Sequence, residues 1–140
     1  MTVTFDTNTI RLVTLFENVT GATVKDCLVD GEMNTIYFIV DEGKIGLAIG
    51  KNGTSVKNAE KLIGKNIKIF EFSNDCNKFV RELVPQANEV KIINSGDKII
   101  VEIKIDKKNR ALVIGRGGKN IKIYKDLLQR NYNVNDIIVK

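Results

Sequence analysis

The 140-residue chain has no histidine and no tryptophan, one proline and two cysteines. Without histidine it lacks the commonest general base and metal ligand of neutral-pH chemistry. Cys27 and Cys76 have no close-spaced partner, which speaks against both a disulfide framework and a zinc site. Cys76 falls on the apolar face of an expected helix and is read as a small buried thiol. No apolar run is long enough to cross a bilayer, and Met1 leads into polar residues rather than a charged and then apolar leader. A soluble cytoplasmic protein with no membrane partner, no metal and no cofactor is expected. Two enzyme-like glycine patterns are incomplete. Gly46 to Lys51 falls one residue short of a phosphate-binding P-loop, and Asn52 stands where a magnesium-binding Ser or Thr belongs. Gly115 and Gly117 begin a dinucleotide fingerprint, but Asn120 replaces its last glycine and no strand directly precedes it. No nucleophile has a base beside it in the sequence, so catalysis is not expected.

What the chain does have is a repeat. Ala48-Ile49-Gly50-Lys51-Asn52-Gly53 recurs 65 residues later as Val113-Ile114-Gly115-Arg116-Gly117-Gly118. Each copy ends a short apolar run and opens an amphipathic one. Glycines at both ends of such a loop let a partner approach the backbone, because no Cβ stands in the way. The loop amides open the following helix, where unpaired N–H groups and the helix dipole favour an anion. Lys51 or Arg116 adds a full positive charge. A tight helix–helix turn would also explain the glycines, but not the basic residue inside both loops.

Charge follows the repeat. Residues 1–72 carry 8 basic and 9 acidic side chains, and residues 73–140 carry 14 and 8. Between Lys44 and Lys68 six basic residues face only Glu60; between Lys104 and Arg130 nine face Asp106 and Asp126. One such cluster is usually a solvated surface. Two clusters in register with two phosphate-seating loops point to a nucleic acid.

The periodicity predicts a helix over residues 8–19, capped from Asp6, Thr7 or Asn8 and stopped by Gly21. Strands follow over 22–30 and 35–41, with Asp30-Gly31 starting the turn between them. One or two helical turns over 44–49 lead to the first loop. Next come a helix over 54–63 with Val56, Ala59 and Leu62 inward, Gly64 as its end, and a strand over 67–72. The second half repeats the order. Asp75 caps a helix carrying Cys76, Phe79, Val80 and Leu83, which Pro85 ends. A hairpin runs over 87–93 and 98–105 across Asn94 to Asp97. Helices over 107–114 and 119–129 flank the second loop, the latter burying Ile121, Tyr124 and Leu128, and a strand over 134–139 closes the chain. The order is α-β-β-α-α-β, twice. No linker composition marks the junction at Ser73-Asn74, so the halves are expected to pack as one rigid body.

This order, with Ile-Gly-x-x-Gly between the second and third helices of each half, resembles the KH domain in its prokaryotic, type II, arrangement. Two such units at this spacing resemble the tandem KH region of the NusA family, and a short chain holding little else resembles its archaeal NusA-like members. The resemblance implies an α+β fold of two tandem KH domains, residues 1–73 and 74–140. Each would be a three-stranded mixed sheet packed against three helices. It implies that Gly50, Lys51, Asn52 and Gly53, and Gly115, Arg116, Gly117 and Gly118, clamp the backbone of single-stranded RNA, about four nucleotides per unit. Lys57, Lys61, Lys119 and Lys122 would add phosphate contacts by charge. Ile49 and Ile114, beside the loops, suit either a base-holding apolar cleft or the core. Tyr37, Phe38, Phe70, Phe72 and Tyr132 are read as strand aromatics of the core rather than as stacking platforms. The glycine at 117 departs from the first loop, and the extra freedom would make that loop costlier to order. The implied role is transcription termination or antitermination, with RNA polymerase or other transcription factors as partners. A KH protein of ribosome assembly, ribosome structure or RNA processing would carry the same loops, and a protein-interaction module is the remaining alternative.

Overall fold

The computed structural model describes residues 6–140, so the first five residues of the expected first unit lie outside it. The chain divides into two compact units, one ending at Ser73 and one running from Asn74 to Lys140. Helix α1 (Thr7–Thr20) starts where the Asp6 carboxylate accepts from the Thr9 amide at 2.7 Å, and ends at Gly21 in the left-handed conformation. Strand β1 (Val24–Asp30) pairs antiparallel with β2 (Thr35–Val40), with a register shift between Val24 and Asp26. Helix α2 (Ile45–Ile49), a 3-10 turn (Lys51–Gly53) and helix α3 (Thr54–Ile63) then cross over to β3 (Asn66–Glu71), which pairs parallel with β2. A parallel partner requires such a crossover, and it is this crossover that carries the loop.

All six residues of β2 are buried, as a central strand rich in β-branched and aromatic side chains requires. On one face Phe16 of α1 stacks on Phe38 at 4.0 Å between ring centroids, and Ala22, Cys27, Ile36, Val40, Ala48, Ala59 and Ile67 complete the buried cluster. Burying one such aliphatic or aromatic side chain contributes roughly 1.5–3 kcal/mol. The expected inward trio of α3 needs one correction: Leu62 is 59% exposed. Val56 and Ile63 pack against the core with Ala59 instead. These three recur at i, i+3 and i+7, and Leu62 lies about 100° round the helix from Ile63.

In the second unit Asp75 caps α4 (Cys76–Leu83) by accepting from the amides of Asn77 and Lys78, and Phe79, Val80 and Leu83 are buried. Strands β4 (Ala87–Ser95) and β5 (Lys98–Ile105) form an antiparallel hairpin. Ser95 pairs with Lys98, so the turn is only Gly96-Asp97, shorter than the expected Asn94–Asp97. Gly96, at φ 64°, supplies the positive φ that a two-residue hairpin turn demands. Helix α5 (Lys107–Ile114), a 3-10 turn (Arg116–Gly118), helix α6 (Lys119–Tyr132) and β6 (Asp136–Val139) follow, with β6 parallel to β5. The result is two three-stranded mixed sheets, each with its helices: an α+β architecture.

Helix α6 runs three residues past the expected end at Gln129, to Tyr132, and is closed by Asn133 in the left-handed conformation. It buries Leu127 and Leu128, whereas Ile121 and Tyr124 are half-buried. Tyr132 is therefore helical, not a strand aromatic, and its ring packs on Phe79 at 5.0 Å. Cys76 is half-buried, and burial followed by the Asp75 charge pushes its thiol up to about 11. Among the described residues no helix is long and apolar enough to cross a membrane.

Candidate functional site

The two glycine loops share their backbone conformation at the first, third and fourth positions. Gly50 and Gly115 both have φ 77°, with ψ 173° and 168°. That region belongs essentially to glycine. A Cβ on Gly50 would stand 2.7 Å from the Ser55 nitrogen and 2.8 Å from its Cβ; on Gly115 it would stand 2.8 Å from the Asn120 Cγ. The first glycine of each loop is thus required twice over, by φ and by the approach of the following helix. The third position is left-handed in both, Asn52 at φ 56° and Gly117 at φ 65°, as is the fourth, Gly53 at 74° and Gly118 at 77°. Asparagine is among the few residues that tolerate this region, so Gly117 is the conformational equivalent of Asn52.

Hydrogen bonds within the loops revise one expectation. The Gly53 amide donates to the Gly50 carbonyl and the Thr54 amide to that of Lys51; Gly118 and Lys119 repeat this toward Gly115 and Arg116. These amides are used inside the loop and are not spare donors for an anion. What remains is the first turn of α3 and of α6. Neither helix has a side-chain cap or an acidic residue there. An uncapped turn of this kind carries partial positive charge toward solvent.

The cations surround that turn. Lys51, Lys57, Lys61, Arg116 and Lys122 are exposed, and no ion pair among the described residues engages them. Lys119 is half-buried and has a partner. Lys57 runs back over the first loop, its Cε 3.7 Å from where a Cβ on Gly53 would stand. Lys61 sits one helical turn further along. Glu60, the only acid between Lys44 and Lys68, accepts from the Ile67 amide at 3.0 Å and serves the α3–β3 connection. Glu17 and Glu71 likewise accept from the amides of Val24 and Gly43. Much of the first unit's negative charge is therefore tied to its own backbone.

Ile49 is 41% exposed and Ile114 half-buried, so neither belongs to the closed core. Two neighbours went unread from the sequence: Leu47 and Leu112, 50% and 65% exposed. Ala48 and Val113 between them are the buried residues of α2 and α5. A signal was present, since Leu47 and Leu112 occupy the same register three residues before the first glycine of each copy. Each loop is thus preceded in the chain by an outward leucine and an isoleucine and followed by lysines.

The chain matches the KH domain family over residues 13–82. It is 36% identical to a Methanocaldococcus jannaschii protein named probable transcription termination protein NusA, across 95% of this chain and 73% of that one. A Thermoplasma acidophilum protein of the same name is 31% identical across 99% of this chain and 96% of its own length. The crystal structure of APE1850 superposes with a TM-score of 0.79 at 30% identity, covering 97% of this chain and all of that one.

Proposed function

Since this chain belongs to the archaeal NusA-like family of KH-domain proteins, we propose that it binds single-stranded RNA through two type II KH units, one on each side of Ser73-Asn74. The loops Gly50–Gly53 and Gly115–Gly118 hold the phosphate backbone. Ile49, Ile114 and the leucines two residues before them offer apolar surface to bases. Lys57, Lys61, Lys119 and Lys122 add charge. What carries the reading is the shared conformation of the two loop backbones, each followed by an uncapped helix and each holding a basic residue without an ion pair. Nothing in folding alone asks for a cation at Lys51 and again at Arg116.

The cellular role that follows is control of transcription termination or antitermination, with RNA polymerase or another transcription factor as partner. The name shared by the archaeal relatives supports it. The test of binding is a variant with Lys51, Asn52, Arg116 and Gly117 all replaced by Asp. Positions 52 and 117 are left-handed, which Asp tolerates, and a Cβ at 117 meets nothing within 4 Å. The variant is expected to stay folded by thermal melting and to lose affinity for an unstructured RNA oligonucleotide. Unchanged affinity rejects the loop mechanism. Crosslinking and sequencing of bound RNA in cells then separates nascent transcripts from ribosomal RNA, and enrichment of the latter alone rejects the transcription role.

A further inference from the structure

The amino-terminal turn of α5 breaks a local rule. Lys107, Lys108 and Arg110 crowd the end of the helix where the dipole is positive and cations are unfavourable. The first turn contains no acidic residue, and Asp106 just before it makes no side-chain cap bond. Its carboxylate accepts from Asn88 Nδ2 at 2.8 Å instead. All three cations are exposed, and none is in an ion pair among the described residues. The first unit has no counterpart, because α2 is only five residues long and is preceded by Lys44 alone. Folding does not explain three unpaired cations at this end, and departures from local consistency concentrate at functional positions.

Their placement suggests the function. Val113 is the buried residue of α5, and Lys107, Ala111 and Ile114 follow one another at i, i+4 and i+7 on the other side. Arg110 and Ile114 are likewise four apart. The cationic stripe fills the first turn, about 4.5 Å of helix axis, and Ile114 and the Gly115–Gly118 loop follow about 6 Å further along the same helix. We propose that this stripe is a second phosphate track, which engages the RNA backbone beyond the nucleotides held by the loop and makes the second unit the electrostatic anchor of the molecule. The proposal rests on the RNA-binding reading given above.

The experiment uses the full chain, with unstructured single-stranded RNAs of about 4 and about 12 nucleotides, titrated across a range of salt concentrations. Three variants are compared with the wild type: Lys107→Gln/Lys108→Gln/Arg110→Gln, the four-Asp loop variant, and a charge-matched control, Lys78→Gln/Lys91→Gln/Lys98→Gln. The α5 variant is expected to bind the longer RNA more weakly, with the slope of log K against log salt reduced by about 2. Its affinity for the shorter RNA should stay within about twofold of wild type, and its Tm should be unchanged or raised, because an unfavourable dipole interaction has gone. A wild-type slope on the longer RNA in the α5 variant overturns the track while the loop reading stands. An equal loss in the control also overturns it, as does a lowered Tm. Loss of binding in the four-Asp variant together with an unaffected α5 variant marks the loops as the whole site. Failure of the wild type to bind either RNA overturns both readings.

Discussion

At the residue scale, the loop glycines are not alike. Gly50 and Gly115 combine a glycine-only backbone with a Cβ that would collide with the next helix. Gly50→Ala and Gly115→Ala should each cost about 1–3 kcal/mol in urea unfolding. Gly117 has the left-handed backbone without the collision, so Gly117→Ala should cost about 1 kcal/mol and Gly117→Asn close to nothing, since Asn52 already holds that conformation. A Gly115→Ala variant as stable as Gly117→Asn would refute this account of the close approach. Cys76 offers a second check. Its thiol is held up at about 11 against an ordinary 9.0, so it is un-ionised at neutral pH and should react with iodoacetamide far more slowly than in the urea-unfolded chain. Since the raised value favours the neutral thiol in the folded state, its contribution to stability falls as pH climbs from 9 toward 11. Equal alkylation rates would place the thiol in solvent.

At the scale of elements, local chemistry starts and stops the helices while packing chooses their faces. Asp75 accepts from two amides of α4, and Asp75→Ala should cost about 1 kcal/mol. Asp6 does the same for α1 through the Thr9 amide, which holds its carboxyl below the usual 3.8. Its contribution is therefore present above that value and is lost as pH falls below it, and the acid limb of a stability–pH profile should shrink in Asp6→Asn. On α3, Ile63→Ala should be clearly more destabilising than Leu62→Ala, because only Ile63 packs on the core. The reverse order in denaturant unfolding would return Leu62 to the interior. The caps were legible as Asp before a periodic segment, and so was Gly64 after one. The choice between Leu62 and Ile63 was not, since both are large, apolar and adjacent, and a hundred degrees of helix rotation separates them.

At the scale of the molecule, charge is unevenly shared: eight basic against nine acidic residues up to 72, fourteen against eight from 73 onward. Much of the acid in the first half serves backbone amides, as Glu17, Glu60 and Glu71 do. RNA affinity is expected to fall linearly in log salt, and Lys51→Ala or Arg116→Ala should each reduce the slope by about 0.7. At low salt, the two-Asp substitution in the second loop should cost more affinity than the same change in the first. Binding that ignores salt would point instead to a protein partner.

The amino-acid sequence alone determined the order of elements, the two loops and the clustering of cations, because periodicity, caps and spacing are local and repeat within the chain. It also carried the αL-tolerant Asn52 and Gly117, but not their equivalence, which is a matter of φ and ψ. Only the tertiary structure decided that the loop amides of Gly53 and Gly118 are already used, that Leu47 and Leu112 stand outward, and that Asp106 turns to Asn88 and leaves α5 uncapped. Each of those outcomes depends on which distant atom arrives first at a donor, an acceptor or an apolar face. That competition is resolved by packing, and no stretch of sequence contains it.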